Sequence, residues 1–112
     1  MAKPRKPASI PLSPDAMRAH AGDAARLLRV LANDKRLMLL CLLVEGELSV
    51  GELNAKVDLS QSALSQHLAV LREECLVSTR REAQTIYYAI ADGPAQRILE
   101  TLHCLYCGNR AA

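Results

Sequence analysis

The sequence predicts a mostly α-helical domain of four helices, a β-hairpin and a closing helix. Three observations predict it. Apolar residues recur at three- and four-residue spacing through most of residues 14–73, the period switches to alternation over residues 76–90, and a helical stripe returns after Pro94. A length of 112 residues fits one domain, and one this small gains from burying surface against a second copy. Phe and Trp are absent, so the core must be built from Leu, Val, Ile and Ala.

Residues 1–13 hold Pro4, Pro7 and Pro11 with the cations Lys3, Arg5 and Lys6 and show no helical period, so they are expected to form a disordered basic arm. That leaves residues 14–112 as the folded domain. Met17, Ala21, Ala24, Leu27, Leu28 and Leu31 form the stripe of a first helix. Asn33 or Asp34 can cap a second, whose Leu37–Val44 run is almost wholly apolar, the mark of a helix buried on several sides, and which Gly46 ends. Ser49 with Glu52 three residues on is a capping box for a short third helix that turns Val50, Leu53 and Val57 inward. After the turn at Asp58 and Leu59, Ser60 caps a fourth helix from Gln61 to about Glu73. Leu76–Arg81 and Thr85–Ile90 read as strands around Glu82, Ala83 and Gln84, and Pro94 suits the first turn of the last helix.

The fourth helix carries the strongest functional signal. At 100° per residue, Leu64, Leu68 and Leu71 gather on one side, while Gln61, Ser62, Ser65, Gln66, Ala69 and Arg72 spread over the other. A solvated helix face is ordinarily rich in Glu and Lys. A face of Ser, Gln and Ala can approach base edges closely and hydrogen-bond them. With the short helix and brief turn before it, this is a helix-turn-helix, and the hairpin makes it a winged one. His67, at the flank of the apolar side, fits a hydrogen-bonded structural histidine as well as a DNA contact. Arg80 and Arg81 on the hairpin and Gln84 at its tip can meet phosphates or the minor groove; edge-strand protection by charge is the competing reading. The net charge of +2 adds little, because the three cations of the arm outweigh it.

No apolar run is long enough to span a bilayer and the N-terminus lacks a secretory pattern, so a cytoplasmic protein, nucleoid-associated when bound to DNA, is expected. Cys41, Cys75, Cys104 and Cys107 are then reduced at rest, and metal binding, redox sensing and plain packing are all open to them. The Cys104-x-x-Cys107 pair ends the chain, where an oxidoreductase motif would start a helix after a strand. No other catalytic constellation is present, so neither an enzyme nor a cofactor is expected.

The segments NDKRLMLLCLL, ELSVGEL, LSQSALSQHLAVLREECLV and TRREAQTIYYAI together resemble the ArsR (SmtB/ArsR) family of winged-helix regulators, over roughly Ala21–Cys107. The resemblance implies a homodimer formed by the first and last helices, double-stranded operator DNA with inverted half-sites, and release when an inducer modifies the protein. Where arsenic and cadmium sensors of the family carry cysteines, this chain has Ser49 and Gly51. Of the zinc-sensor ligands on the last helix only Asp92 and His103 have isolated counterparts. Cys41 in the second helix and Cys107 in LYC are similar to the thiol pair of the HlyU, BigR and SqrR subgroup, the nearest match. That similarity implies that sulfane sulfur or oxidants join Cys41 and Cys107, as attacking and resolving thiols, by a disulfide or polysulfide link. The alternatives are a metal-responsive repressor using Cys104 and Cys107 with His103 or Cys75, and a DNA-binding protein whose cysteines are structural only. Whether binding represses transcription or activates it by anti-silencing is left open.

Overall fold

Every expected helix is present, and all but the last start at a polar side-chain cap. The structure, a computed structural model, describes residues 13–108 and the side chains of residues 13–106. The basic arm expected at residues 1–13 therefore lies outside the described residues except for Ser13, whose hydroxyl accepts from the Ala16 amide at the start of α1 (Pro14–Leu31). Asn33 caps α2 (Asp34–Val44) by accepting from the Arg36 amide at 3.0 Å. The capping box forms in full at α3 (Val50–Lys56): Ser49 Oγ accepts from the Glu52 amide at 3.1 Å, and Glu52 Oε1 accepts from the Ser49 amide at 2.8 Å. Ser60 caps α4 (Gln61–Glu73).

The hairpin consists of β2 (Val77–Glu82) and β3 (Thr85–Ile90), joined through Ala83 and Gln84. Ala83 has φ 57° at a turn position that Gly ordinarily fills, so only the strand period marked this hairpin in the sequence. One element was not expected. Leu48 and Ser49 form β1, which pairs antiparallel with β3 (Leu48 opposite Tyr88, Ser49 opposite Tyr87) to give a three-stranded sheet ordered β1-β3-β2. Two residues have no period to detect, and only their partner strand defines them. The last helix, α5 (Pro94–His103), follows Gly93 at φ 147° and widens into a π turn over Cys104–Gly108. Among the described residues no helix is long and apolar enough to cross a membrane.

One apolar cluster joins these elements. Leu39, Leu40 and Leu43 of α2, Leu53 of α3, Leu64, Leu68 and Leu71 of α4, Tyr88 of β3 and Leu99 of α5 are all buried in it. The second helix is less enclosed than its composition implies. Met38 is exposed, and Leu37, Cys41, Leu42 and Val44 are half-buried. The stripe of α1 is barer still, with only Leu31 buried. Half-buried Leu27 and Val30 also pack against the core, and two polar links add to them. Arg36 Nε donates to the Val30 carbonyl at 2.9 Å, and Arg26 donates twice to Glu74 at the end of α4, at 3.0 and 3.2 Å.

The end of α4 shows how this sequence stops a helix without glycine. The Leu76 amide donates to the Leu71 carbonyl at 2.9 Å and the Cys75 amide to the Arg72 carbonyl at 3.0 Å, a Schellman motif whose left-handed position, φ 62°, is Cys75. Left-handed backbone costs a residue with a Cβ about 1 kcal/mol. Cys75→Gly is therefore expected to raise stability by up to about 1 kcal/mol, the gain being trimmed by glycine's freer unfolded chain, and Cys75→Val to lower it. Thermal melting of the two variants checks the opposite signs.

The Arg26 guanidinium, by hydrogen bond and then by charge, holds the Glu74 carboxyl below its ordinary value of 4.5. A carboxylate depressed in the folded state stabilises above its unfolded pKa and loses that contribution as pH falls through the folded value. The stability gap between the parent and Glu74→Gln should thus be constant near neutrality and close below pH 4.5. Denaturant titrations across that window measure it.

Candidate DNA interface and thiol positions

The two sides of α4 separate as the sequence predicts. Leu64, Leu68 and Leu71 are buried, whereas Ser60, Gln61, Ser62, Ser65, Gln66, Ala69 and Arg72 are exposed. The Asn54 side chain donates to the Leu59 carbonyl at 3.1 Å and so fixes the turn between α3 and α4. Sequence reasoning missed this contact; an Asn five residues before a turn carbonyl was its only signal. The first turn of α4 has no acidic residue, unlike those of α1, α2 and α3, so its partial positive charge is not offset there. His67 is half-buried and makes no side-chain hydrogen bond among the described residues, so neither reading of it gains a partner.

The arginines of the wing differ in kind. Arg80 Nε donates to Glu47 Oε2 at 3.1 Å, its Nη2 reaches Glu47 Oε1, its Nη1 donates to Glu82 at 3.0 Å, and the guanidinium lies 4.5 Å from the Tyr87 ring centre. The hydrogen bonds that Arg80 donates to Glu47 and then to Glu82 raise its pKa further above its already high ordinary value. The same contact holds the Glu47 carboxyl below its own. Arg81 is exposed and has no ion pair among the described residues. Strand alternation puts it on the opposite face of the hairpin from Arg80, with Gln84 exposed at the tip. Arg80 is thus engaged within the protein, and Arg81 presents the open cation.

Cys41, Cys75 and Cys104 lie on different elements: α2, the turn after α4 and the π turn after α5. Cys75 is exposed beside a pocket of about 520 Å³ walled by α1, the α4–β2 turn and the start of α5. Cys104 is exposed just past the other end of α5, and ten residues of helix span about 15 Å. Among the described residues no group of three or more His, Cys, Asp or Glu side chains could hold a metal. His103, the other candidate ligand, is half-buried and donates from Nε2 to Glu45 Oε2 at 3.2 Å. This contact joins the last turn of α5 to the end of α2. Cys41 stands four residues before Glu45 and Cys107 four residues after His103, so each cysteine lies one helical turn from it. The side chain of Cys107 is outside the described residues.

Comparison with known proteins decides what this architecture is. Residues 33–79 match the family described as bacterial regulatory protein, arsR family. Over 97 residues the chain is 48% identical to the transcriptional activator HlyU of Vibrio cholerae, spanning 87% of this chain and 90% of that one. The chain belongs to the ArsR family. An ArsR-family member is a DNA-binding transcriptional regulator, not an enzyme, and its fold is the winged helix-turn-helix. The chain is also 50% identical over 105 residues to a biofilm growth-associated repressor of Agrobacterium fabrum, covering 94% and 88% of the two chains. Reduced HlyU from Vibrio cholerae superposes with a TM-score of 0.78 at 50% identity, covering 82% of this chain and 97% of that one. A homodimeric winged helix-turn-helix DNA-binding domain from Mycobacterium bovis gives 0.71 at 30% identity, covering 83% and 86%.

Proposed function

We propose that this ArsR-family regulator is a homodimer that binds operator DNA with inverted half-sites and releases it when Cys41 and Cys107 become bridged by a disulfide or polysulfide link. The Glu45–His103 contact carries the reading of the switch, because it holds together the two helix ends that bear the thiols. The exposed, nearly uncharged face of α4 carries the reading of DNA. Ser62, Ser65 and Gln66, with Ser60 and Gln61 at the helix start and His67 at its flank, face the major groove, while Arg81 and Gln84 meet the backbone or minor groove. Arg80 braces the wing from behind through Glu47 and Tyr87.

The bare stripe of α1 supports the dimer. Met17 is 53% and Leu28 55% exposed, and past α5 Leu105 is 69% and Tyr106 82% exposed. Apolar surface of this extent on two terminal elements is suited to a second copy, as in the homodimeric Mycobacterium bovis relative. Two copies present two α4 helices to successive major grooves in the bacterial cytoplasm.

Sulfane sulfur closes the bridge with atoms balanced. One thiolate attacks the outer sulfur of a persulfide, taking it up and releasing the donor as a thiol. The second attacks the protein persulfide at its inner sulfur and expels hydrosulfide. Two protein thiols are oxidised, and the persulfide is reduced to a thiol and hydrogen sulfide. When both thiols have first taken up sulfur, attack of one protein persulfide on the inner sulfur of the other expels hydrosulfide and leaves a trisulfide, which spans a gap that a simple disulfide, with Cα atoms within about 7 Å, cannot. The half-burial of Cys41 suits an uncharged or polarizable sulfur donor.

Intact mass spectrometry after persulfide treatment is expected to show a Cys41–Cys107 crosslink, with or without added sulfur. A mass change confined to Cys75 and Cys104 would sink the switch. Cys41→Ser should bind DNA like the reduced parent and cease to respond to treatment. On DNA, Arg81→Ala should weaken binding to every sequence and reduce the salt dependence by about one phosphate contact. Gln66→Ala should instead change base preference, costing about 1–3 kcal/mol at one position. Binding to a panel of duplexes at several salt concentrations separates the two.

A further inference from the structure

Two ion-paired carboxylates flank one glycine between α2 and β1, and they point the two functional ends of the molecule at each other. Glu45 holds His103 at the end of α5, and Glu47, two residues on, holds Arg80 on β2. The turn between them has little slack. The Gly46 amide donates to the Leu43 carbonyl at 3.1 Å, Gly46 adopts φ 149°, and Leu48 is already paired with Tyr88 in the sheet. Two residues span at most about 7 Å of chain, so a shift of one carboxylate is felt by the other. Arg80 in turn sits beside Arg81 on β2 and stacks on Tyr87 of β3, so its position sets that of both wing strands.

We propose that Glu45 and Glu47 are positioning residues that tie the cysteine-bearing end of α5 to the wing, so that displacement of that helix end moves the strand presenting Arg81. This deepens the proposed thiol switch and rests on it for the source of the displacement. Neither carboxylate touches DNA or a thiol in this scheme. Each acts through the residue it holds, and the turn transmits because both ends are anchored.

Glu45→Ala, Glu47→Ala and the double variant are compared with the parent by fluorescence anisotropy on a duplex selected in vitro from a random-sequence pool. Binding is measured before and after treatment with inorganic polysulfide, and intact mass gives the bridged fraction. At equal bridged fraction, the loss of affinity on treatment should shrink about two- to fivefold in each single variant, the range exposed ion pairs support, and no further in the double. An undiminished response in both single variants overturns the proposal, as do losses that multiply in the double variant. A second measurement does not need the thiol chemistry. In reduced protein, His103→Gln should shift the amide resonances of Arg80 to Gln84, and Glu47→Ala should abolish that shift; wing amides indifferent to His103→Gln overturn the coupling. If the parent forms no bridge or keeps its affinity when bridged, the switch itself has failed, and the amide shifts alone decide the coupling.

Discussion

The leucine core fixes the rotation of α4, and the proposed reading of DNA depends on that rotation. With no Phe or Trp to fill space, the interior closes only when Leu64, Leu68 and Leu71 of α4 meet Leu39, Leu40 and Leu43 of α2 and Leu99 of α5. Removing one such enclosed Leu side chain costs about 2–5 kcal/mol, because the remaining side chains cannot collapse into the gap. Turning α4 by one residue would withdraw three leucines at once. The outer face is therefore held by what lies beneath it, and apart from the cap Ser60 none of its Ser and Gln side chains makes a hydrogen bond among the described residues.

The polar links have a different scale and a different place. Arg26–Glu74, Arg80–Glu47 and His103–Glu45 all lie at the periphery, where one member of each pair is substantially exposed. Such pairs contribute up to about 1 kcal/mol, so they cannot decide the fold against the core. They decide how the terminal helices and the wing sit on it. A hierarchy follows: a rigid centre that positions the reading helix, surrounded by elements whose placement a modest change in interaction can alter. Regulation without unfolding needs that hierarchy.

Much of this was legible because it is local. Asn33, Ser49 with Glu52, Ser60 and Pro94 each announce a helix within four residues, and the Leu and Ser/Gln sides of α4 are a property of its own thirteen residues. What was not legible depends on distant partners. The clamp on Arg80 joins residues 33 apart, and nothing around Arg80 distinguishes it from Arg81 until the hairpin register turns one toward Glu47 and leaves the other open. The strand at Leu48 and Ser49 exists only because Tyr87 and Tyr88 lie alongside. The end of α4 hid for another reason: a Schellman motif ordinarily shows a glycine, and Cys75 takes its place. The unbroken apolar run of α2 misled in the opposite direction, since composition cannot separate burial within one chain from surface left half-covered.

That half-covered surface bears on how a thiol switch could act. Cys41 lies on α2 between residues of the leucine core, yet its own side chain is only half-buried, so a reagent can reach it without opening the interior. A covalent link from there to the end of α5 competes with the Glu45–His103 contact, which is worth little, and not with Leu40 or Leu99, which are worth several times more. In the proposed switch the strain of closing a bridge would therefore be relieved where the structure is weakest: at the π turn, in the last turn of α5, and through α5 in the angle between the proposed subunits. Each α4 keeps its own shape. What the proposed bridge would change is the distance between two intact α4 helices, and DNA with fixed half-site spacing is sensitive to that distance.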